Sequence, residues 1–109
     1  MSRMDRLERI AKAHGEELRA FCERWHIGEL SLFGSVLRDD FRPESDIDVL
    51  VAFAPEHPWS VLDHMDMERE LSDLLGRRVE ITSRAAVEQS PNPLRRQEIL
   101  SSARPLYAA

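Results

Sequence analysis

Residues 46–53 read Asp-Ile-Asp-Val-Leu-Val-Ala-Phe, and this stretch constrains the chain more than any other. Two acids alternate with Ile47, and an unbroken apolar run then follows from Val49 to Phe53. A short continuous run rich in β-branched residues reads as a strand buried on both faces. Such a strand belongs in the middle of a sheet with helices packed on it. Its opening is the anomaly. Residues two apart on a strand point the same way, so Asp46 and Asp48 place like charges on one face and repel. Folding alone would avoid that pairing, and the expectation is a cation between them.

The flanks supply the helices. Over residues 3–25, Leu7, Ile10, Ala11, His14, Leu18, Phe21, Cys22 and Trp25 recur at steps of three and four, the period of an amphipathic helix. Gly15 weakens that helix by about 1 kcal/mol relative to Ala, yet the periodicity continues on both sides. Residues 27–33 read as a second strand, followed by a turn or short helix and a loop stopped by Pro43. Ser60 with Asp63 three residues later forms a capping box with the shorter acid, opening a helix that Gly76 stops. Residues 77–83 read as a short strand, and Pro93 suits the first turn of a last helix. The closing residues, RPLYAA, receive no element. The predicted fold is α/β (α+β): one domain over 1–109, with a small mixed sheet of three to four strands flanked by helices.

Composition excludes some functions. Net charge is −5 across 109 residues, which argues against a stand-alone grip on a nucleic-acid backbone. No apolar run approaches the length of a membrane span, and the charged N-terminus does not resemble a signal peptide, so a cytoplasmic location is expected. Cys22, the single cysteine, falls in the helical apolar pattern and reads as core. The four histidines, at 14, 26, 57 and 64, lack zinc-ligand spacing. His14 and His64 fall on helical apolar stripes and read as core or interface residues. Trp25 and Trp59 read as packing, and the Leu-Arg-Arg-Gln stretch at 94–97 as a solvated helix face.

The chemistry concentrates at two places. Gly34-Ser35 ends one strand, ten residues intervene, and Asp46-Ile47-Asp48 opens the next strand. If these strands are neighbours, both features face one cleft. Glycine lets the backbone approach a ligand closely. The turn's N–H groups and the Ser35 hydroxyl suit phosphate. Two carboxylates on one strand face make a hard oxygen site suited to Mg²⁺. Two such ions about 3.5–4 Å apart would clamp an in-line phosphoryl displacement.

The stretch FGSVLRDDFRPESDIDVLV resembles the nucleotidyltransferase superfamily that shares the polymerase-beta palm, and within it the minimal nucleotidyltransferases (MNT). Gly34, Ser35, Arg38, Asp40, Ser45, Asp46, Ile47 and Asp48 match that family's pattern, and the likeness continues through ELSDLLGRRVEIT and NPLRRQEILSSARPLY. The resemblance implies nucleotidyl transfer from ATP, with two Mg²⁺ held by Asp46, Asp48 and a third acid. Glu80 is the candidate, on the strand face opposite Val79 and Ile81, where the family commonly has Asp. Gly34, Ser35, Arg38 and Ser45 would hold the nucleotide, with Arg42 a weaker candidate. Asp39 stands where the family often has Gly. The resemblance also implies a partner, a HEPN ribonuclease toxin, with this chain as the antitoxin that transfers AMP to a toxin tyrosine. Two alternatives stand beside it. One is an antitoxin that neutralises its toxin by contact alone. The other is a small-molecule nucleotidyltransferase of the aminoglycoside type.

Overall fold

The structure is a computed structural model that describes residues 3–37, 45–54 and 59–109. Its elements are helix α1 (Arg3–Arg24), strand β1 (Ile27–Phe33), a 3-10 turn (Gly34–Leu37) and strand β2 (Ile47–Phe53). They continue with α2 (Val61–Leu75), β3 (Val79–Ser83), α3 (Arg84–Glu88), α4 (Pro93–Ser102) and β4 (Arg104–Ala108).

The apolar run of β2 occupies the interior of the sheet, as its composition requires. The strand order is β3-β2-β1-β4; β2 pairs antiparallel with β1 and parallel with β3, so the sheet is mixed. Alternation along β2 serves two cores. Ile47, Val49 and Val51 pack with Leu30, Leu32, Val79 and Ile81 of the sheet and with Phe21, Met67 and Leu71 from α1 and α2. Leu50 points the other way and packs with Phe33, Val87 and Ile99, beneath α3 and α4. Burial of each such side chain contributes about 1.5–3 kcal/mol. Asp48 shares the Leu50 face, because residues two apart on a strand project the same way.

The helix ends carry the predicted caps. The Ser60 Oγ accepts the Asp63 N–H at 3.1 Å, and the Asp63 carboxylate accepts the Ser60 N–H at 2.9 Å. Gly76 closes α2 in the left-handed region, at φ 69°. Asn92 accepts the Leu94 and Arg95 N–H groups and caps α4, with Pro93 in the first turn. Arg24 and Trp25 both donate to Glu70, which ties the end of α1 to α2. Trp25 packs edge-on to Trp59 at 5.2 Å between ring centroids.

β3 lies at the edge of the sheet, but its outward N–H groups are taken. Val79 donates to Ser72 Oγ at 2.9 Å and Ile81 donates to Glu68 Oε2 at 2.7 Å. Side chains of α2 thus occupy donors that would otherwise template another strand.

Three features differ from the sequence expectation. The closing residues form β4, an edge strand against β1. Its side chains lie half-buried or exposed and it contains Pro105, so it has no core-strand pattern to read. The short α3 spans five residues, too few to show helical periodicity. His14 and His64 are partly exposed, beside Glu17 and Glu68 respectively at 3.4 Å, which removes the core half of their core-or-interface reading. Cys22 is core as read, and burial with neighbouring Glu23 pushes its thiol up to about 12.

Candidate active site

The turn after β1 starts at Gly34, whose φ of +77° is a conformation that side chains rarely adopt. A Cβ built there would sit 2.5 Å from Asp48 Oδ2. Glycine is required twice, by the backbone and by the carboxylate packed against it. This contact exists because Phe33 pairs with Asp48 across β1 and β2. On its other side Asp48 pairs with Glu80 of β3. Neighbouring strands run about 4.8 Å apart, so in-register residues on one face share space. The Ile47 N–H donates to the Arg78 carbonyl at 2.9 Å and locks that register at the strand mouth.

Gly34, Ser35, Asp48 and Glu80 line one cavity of about 380 Å³, with Phe33 and Thr82 beside them. Helix α4 forms the opposite wall through Arg95, Glu98, Ile99 and Ser102. Asp48 is half-buried and Glu80 is exposed.

Asp46 and Ser45 lie outside this lining. Asp46 precedes β2 and does not line this cavity; its Oδ2 lies 3.9 Å from the Arg78 Nε. With the Arg78 side chain 84% exposed, that pair contributes about 0–1 kcal/mol and yields readily to a stronger cation. Ser45 is half-buried just before Asp46 and does not line the cavity either. Arg38, Asp39, Asp40 and Arg42 lie outside the described residues. Among the described residues no three His, Cys, Asp or Glu side chains form a ready cation cage. The donor chemistry nevertheless fits Mg²⁺, which binds through one or two carboxylates plus substrate phosphates. Asp48 and Glu80 supply that pair in register, and the missing Cβ of Gly34 lets the Asp48 carboxylate pack against the turn.

Sequence reasoning missed the α4 wall. Arg95, Glu98 and Ser102 fall three and four residues apart, which puts them on one helix face around buried Ile99. The spacing was visible; what hid its meaning is that a charged helix face ordinarily meets solvent.

The nucleotidyltransferase domain family matches residues 16–106, from within α1 into β4. The chain belongs to the nucleotidyltransferase domain family. Within that family it is 35% identical over 88 residues to the protein adenylyltransferase MntA of Thermococcus cleftensis, covering 81% of this chain and 84% of that relative. A solved structure described as a minimal nucleotidyltransferase superposes with a TM-score of 0.68 at 34% identity, covering 96% of each chain. The MNT fold also recurs in a tri-AMPylated Shewanella oneidensis HEPN toxin in complex with MNT antitoxin. There the TM-score is 0.61 at 15% identity, over 91% of this chain and 73% of that one. The mixed four-stranded sheet with its helices is therefore the minimal nucleotidyltransferase fold, and the chain is a nucleotidyltransferase. Among the described residues of this nucleotidyltransferase, no helix is long and apolar enough to cross a membrane.

Proposed function

We propose that this nucleotidyltransferase is a Mg²⁺-dependent protein adenylyltransferase that acts in the cytoplasm as an antitoxin, transferring AMP from ATP to a HEPN toxin and so silencing it. The observation that carries the reading is the in-register pair Asp48–Glu80 beside the Gly34–Ser35 turn, all in one cavity. The likeness to a protein adenylyltransferase and to an MNT antitoxin supports a protein acceptor.

In this reading the hydroxyl oxygen of a toxin tyrosine attacks the α-phosphorus of ATP. The new O–P bond forms as the bond to the β-phosphate oxygen breaks, and pyrophosphate leaves. Asp48 and Glu80 would hold Mg²⁺, with Asp46 as the third carboxylate. The bound ions supply charge neutralisation for the triphosphate and the leaving pyrophosphate. Gly34 admits the β- and γ-phosphates close to the main chain, and Ser35 donates its hydroxyl to them. Glu80, exposed on the acceptor side, receives the tyrosine proton. Arg38 completes the nucleotide contacts. The protein contributes chiefly position and charge, as phosphoryl-type transfers require.

The test is a labelling reaction with α-labelled ATP and Mg²⁺, with and without the co-encoded toxin, comparing wild type with Asp46→Asn/Asp48→Asn. Labelled toxin with wild type and none with the double variant supports the reading. Toxin bound tightly and inhibited by both forms, with no label, would replace it with neutralisation by contact. Label on an aminoglycoside in the absence of any protein acceptor would replace it with small-molecule transfer.

A further inference from the structure

The cavity over Asp48 and Glu80 has a continuation. Thr82, Arg95 and Ile99 line a second cavity of about 170 Å³ together with Ala86, Val87 and Ser90. Gly34, Ser35, Asp48 and Glu80 do not line it. Arg95 therefore lines both chambers, whereas Gly34 and Ser35 line only the first. The inference rests on the reading above: with the triphosphate at Gly34–Ser35, an acceptor enters past Arg95.

The charge balance at this passage is uneven. Asp48, Glu80 and Glu98 all line the first chamber, and Arg95 is the cation among the described residues that line it. The Arg95 guanidinium makes no ion pair or side-chain hydrogen bond with any described residue, although Glu98 follows it by three on the same helix. Its main-chain N–H is fixed by Asn92 at 3.1 Å, so the side chain springs from a capped first turn and not from a loop. A planar guanidinium pairs bidentately with phosphate or carboxylate, the two oxyanions that matter here. In the loaded site, an acceptor carrying a negative group beside its hydroxyl would be repelled by Glu98 and by the triphosphate unless a cation met that group.

We infer that Arg95 is the acceptor-side anion contact: it holds an oxyanion, phosphate or carboxylate, carried by the acceptor next to the attacking hydroxyl. It selects and orients the acceptor, and it leaves the donor nucleotide untouched.

The test uses the full chain saturated with Mg²⁺ and α,β-methylene ATP. The loaded protein is titrated with AMP, and separately with a tyrosine peptide flanked by acidic residues, by calorimetry. One or both probes bind, Arg95→Ala weakens that binding roughly tenfold or more, and Arg95→Lys retains part of it. The affinity for the ATP analogue stays the same in both variants. Binding of AMP assigns the oxyanion to a phosphate, and binding of the peptide assigns it to a carboxylate. Weakened analogue binding in Arg95→Ala would put Arg95 on the triphosphate and overturn the inference, as would probe binding that ignores the substitution or probes that fail to bind the loaded wild type. Failure of the wild type to bind the analogue at all is a different result, which overturns the adenylyltransferase reading and this inference with it.

Discussion

Asp48 faces Glu80 in register across the parallel pair of β2 and β3, while its Oδ2 fills the place a Gly34 side chain would take. The site is thus assembled from three consecutive strands of contact: the end of β1, the start of β2 and the start of β3. A carboxylate pair at a strand mouth opposes folding in isolation, and the sheet tolerates it because Glu80 is exposed to solvent.

Substitution at Asp48 separates chemistry from folding. Asp48→Asn keeps the shape and removes the charge, so nucleotidyl transfer falls by about 100-fold or more. Glu80→Gln acts in the same direction. The thermal unfolding midpoint of Glu80→Gln remains at or slightly above wild type, because Glu80 is exposed and removing one of two like charges relieves repulsion. Unchanged turnover in Asp48→Asn would remove that carboxylate from the reaction.

Gly34→Ala tests the packing of the turn on Asp48. The added Cβ meets Oδ2 at 2.5 Å and the residue sits at positive φ. The left-handed conformation alone costs about 1–2 kcal/mol. The clash adds to that cost and moves the carboxylate, so activity falls together with stability. In a double-mutant cycle with Asp48→Ala, truncation of the carboxylate recovers the clash but not the backbone strain, giving a coupling of about 0.5–3 kcal/mol. Additive denaturation free energies would mean the turn shifts freely instead.

These two sites also mark what was legible in the sequence. The run from Val49 to Phe53 announced a buried central strand, and Glu80 between Val79 and Ile81 announced its own face, because strand alternation is strict. Ser60 and Asp63 announced their cap for a similar reason: the hydrogen bonds join residues three apart. β4 was not legible. An edge strand is stabilised by its hydrogen bonds to β1, and those partners are about seventy residues away in sequence, leaving no local pattern. Arg95 was visible on a helix, but its wall of the cavity arises from docking α4 through Ile99 onto Leu50 and Phe33. That is a tertiary contact with no trace in spacing alone. Asp46 shows the converse: its charge was legible, yet its neighbour Arg78 depends on the β2–β3 register.

Glu68 tests how the β3 edge is protected. Its carboxylate accepts the Ile81 N–H at 2.7 Å and lies 3.4 Å from the His64 ring nitrogen. Glu68→Ala leaves that main-chain donor without its acceptor and costs about 1–3 kcal/mol. Glu68→Gln keeps an acceptor oxygen and costs less. Urea unfolding of the two variants measures the difference. Equal stability of the alanine variant and wild type would mean water replaces the carboxylate at the edge.

Cys22 couples stability to alkaline pH. Its side chain is fully buried, and the thiol rises from 9.0 to about 12 in the fold. Above pH 9 the unfolded chain loses the thiol proton while the folded chain keeps it. The folded state then binds more protons, so this contribution to stability is complete below the unfolded value and declines as pH rises toward the folded one. The slope approaches about 1.4 kcal/mol per pH unit within that window. Unfolding free energies of wild type and Cys22→Ala, measured from pH 8 to pH 11, separate this contribution from the titration of other groups. The gap between the two proteins narrows as pH rises. A constant gap would mean that the buried thiol ionises in the fold as easily as in the open chain. Thiol reagents give the kinetic counterpart: modification of native Cys22 proceeds at the rate of opening of the α1–sheet core, and Phe21→Ala, which loosens that core, accelerates it.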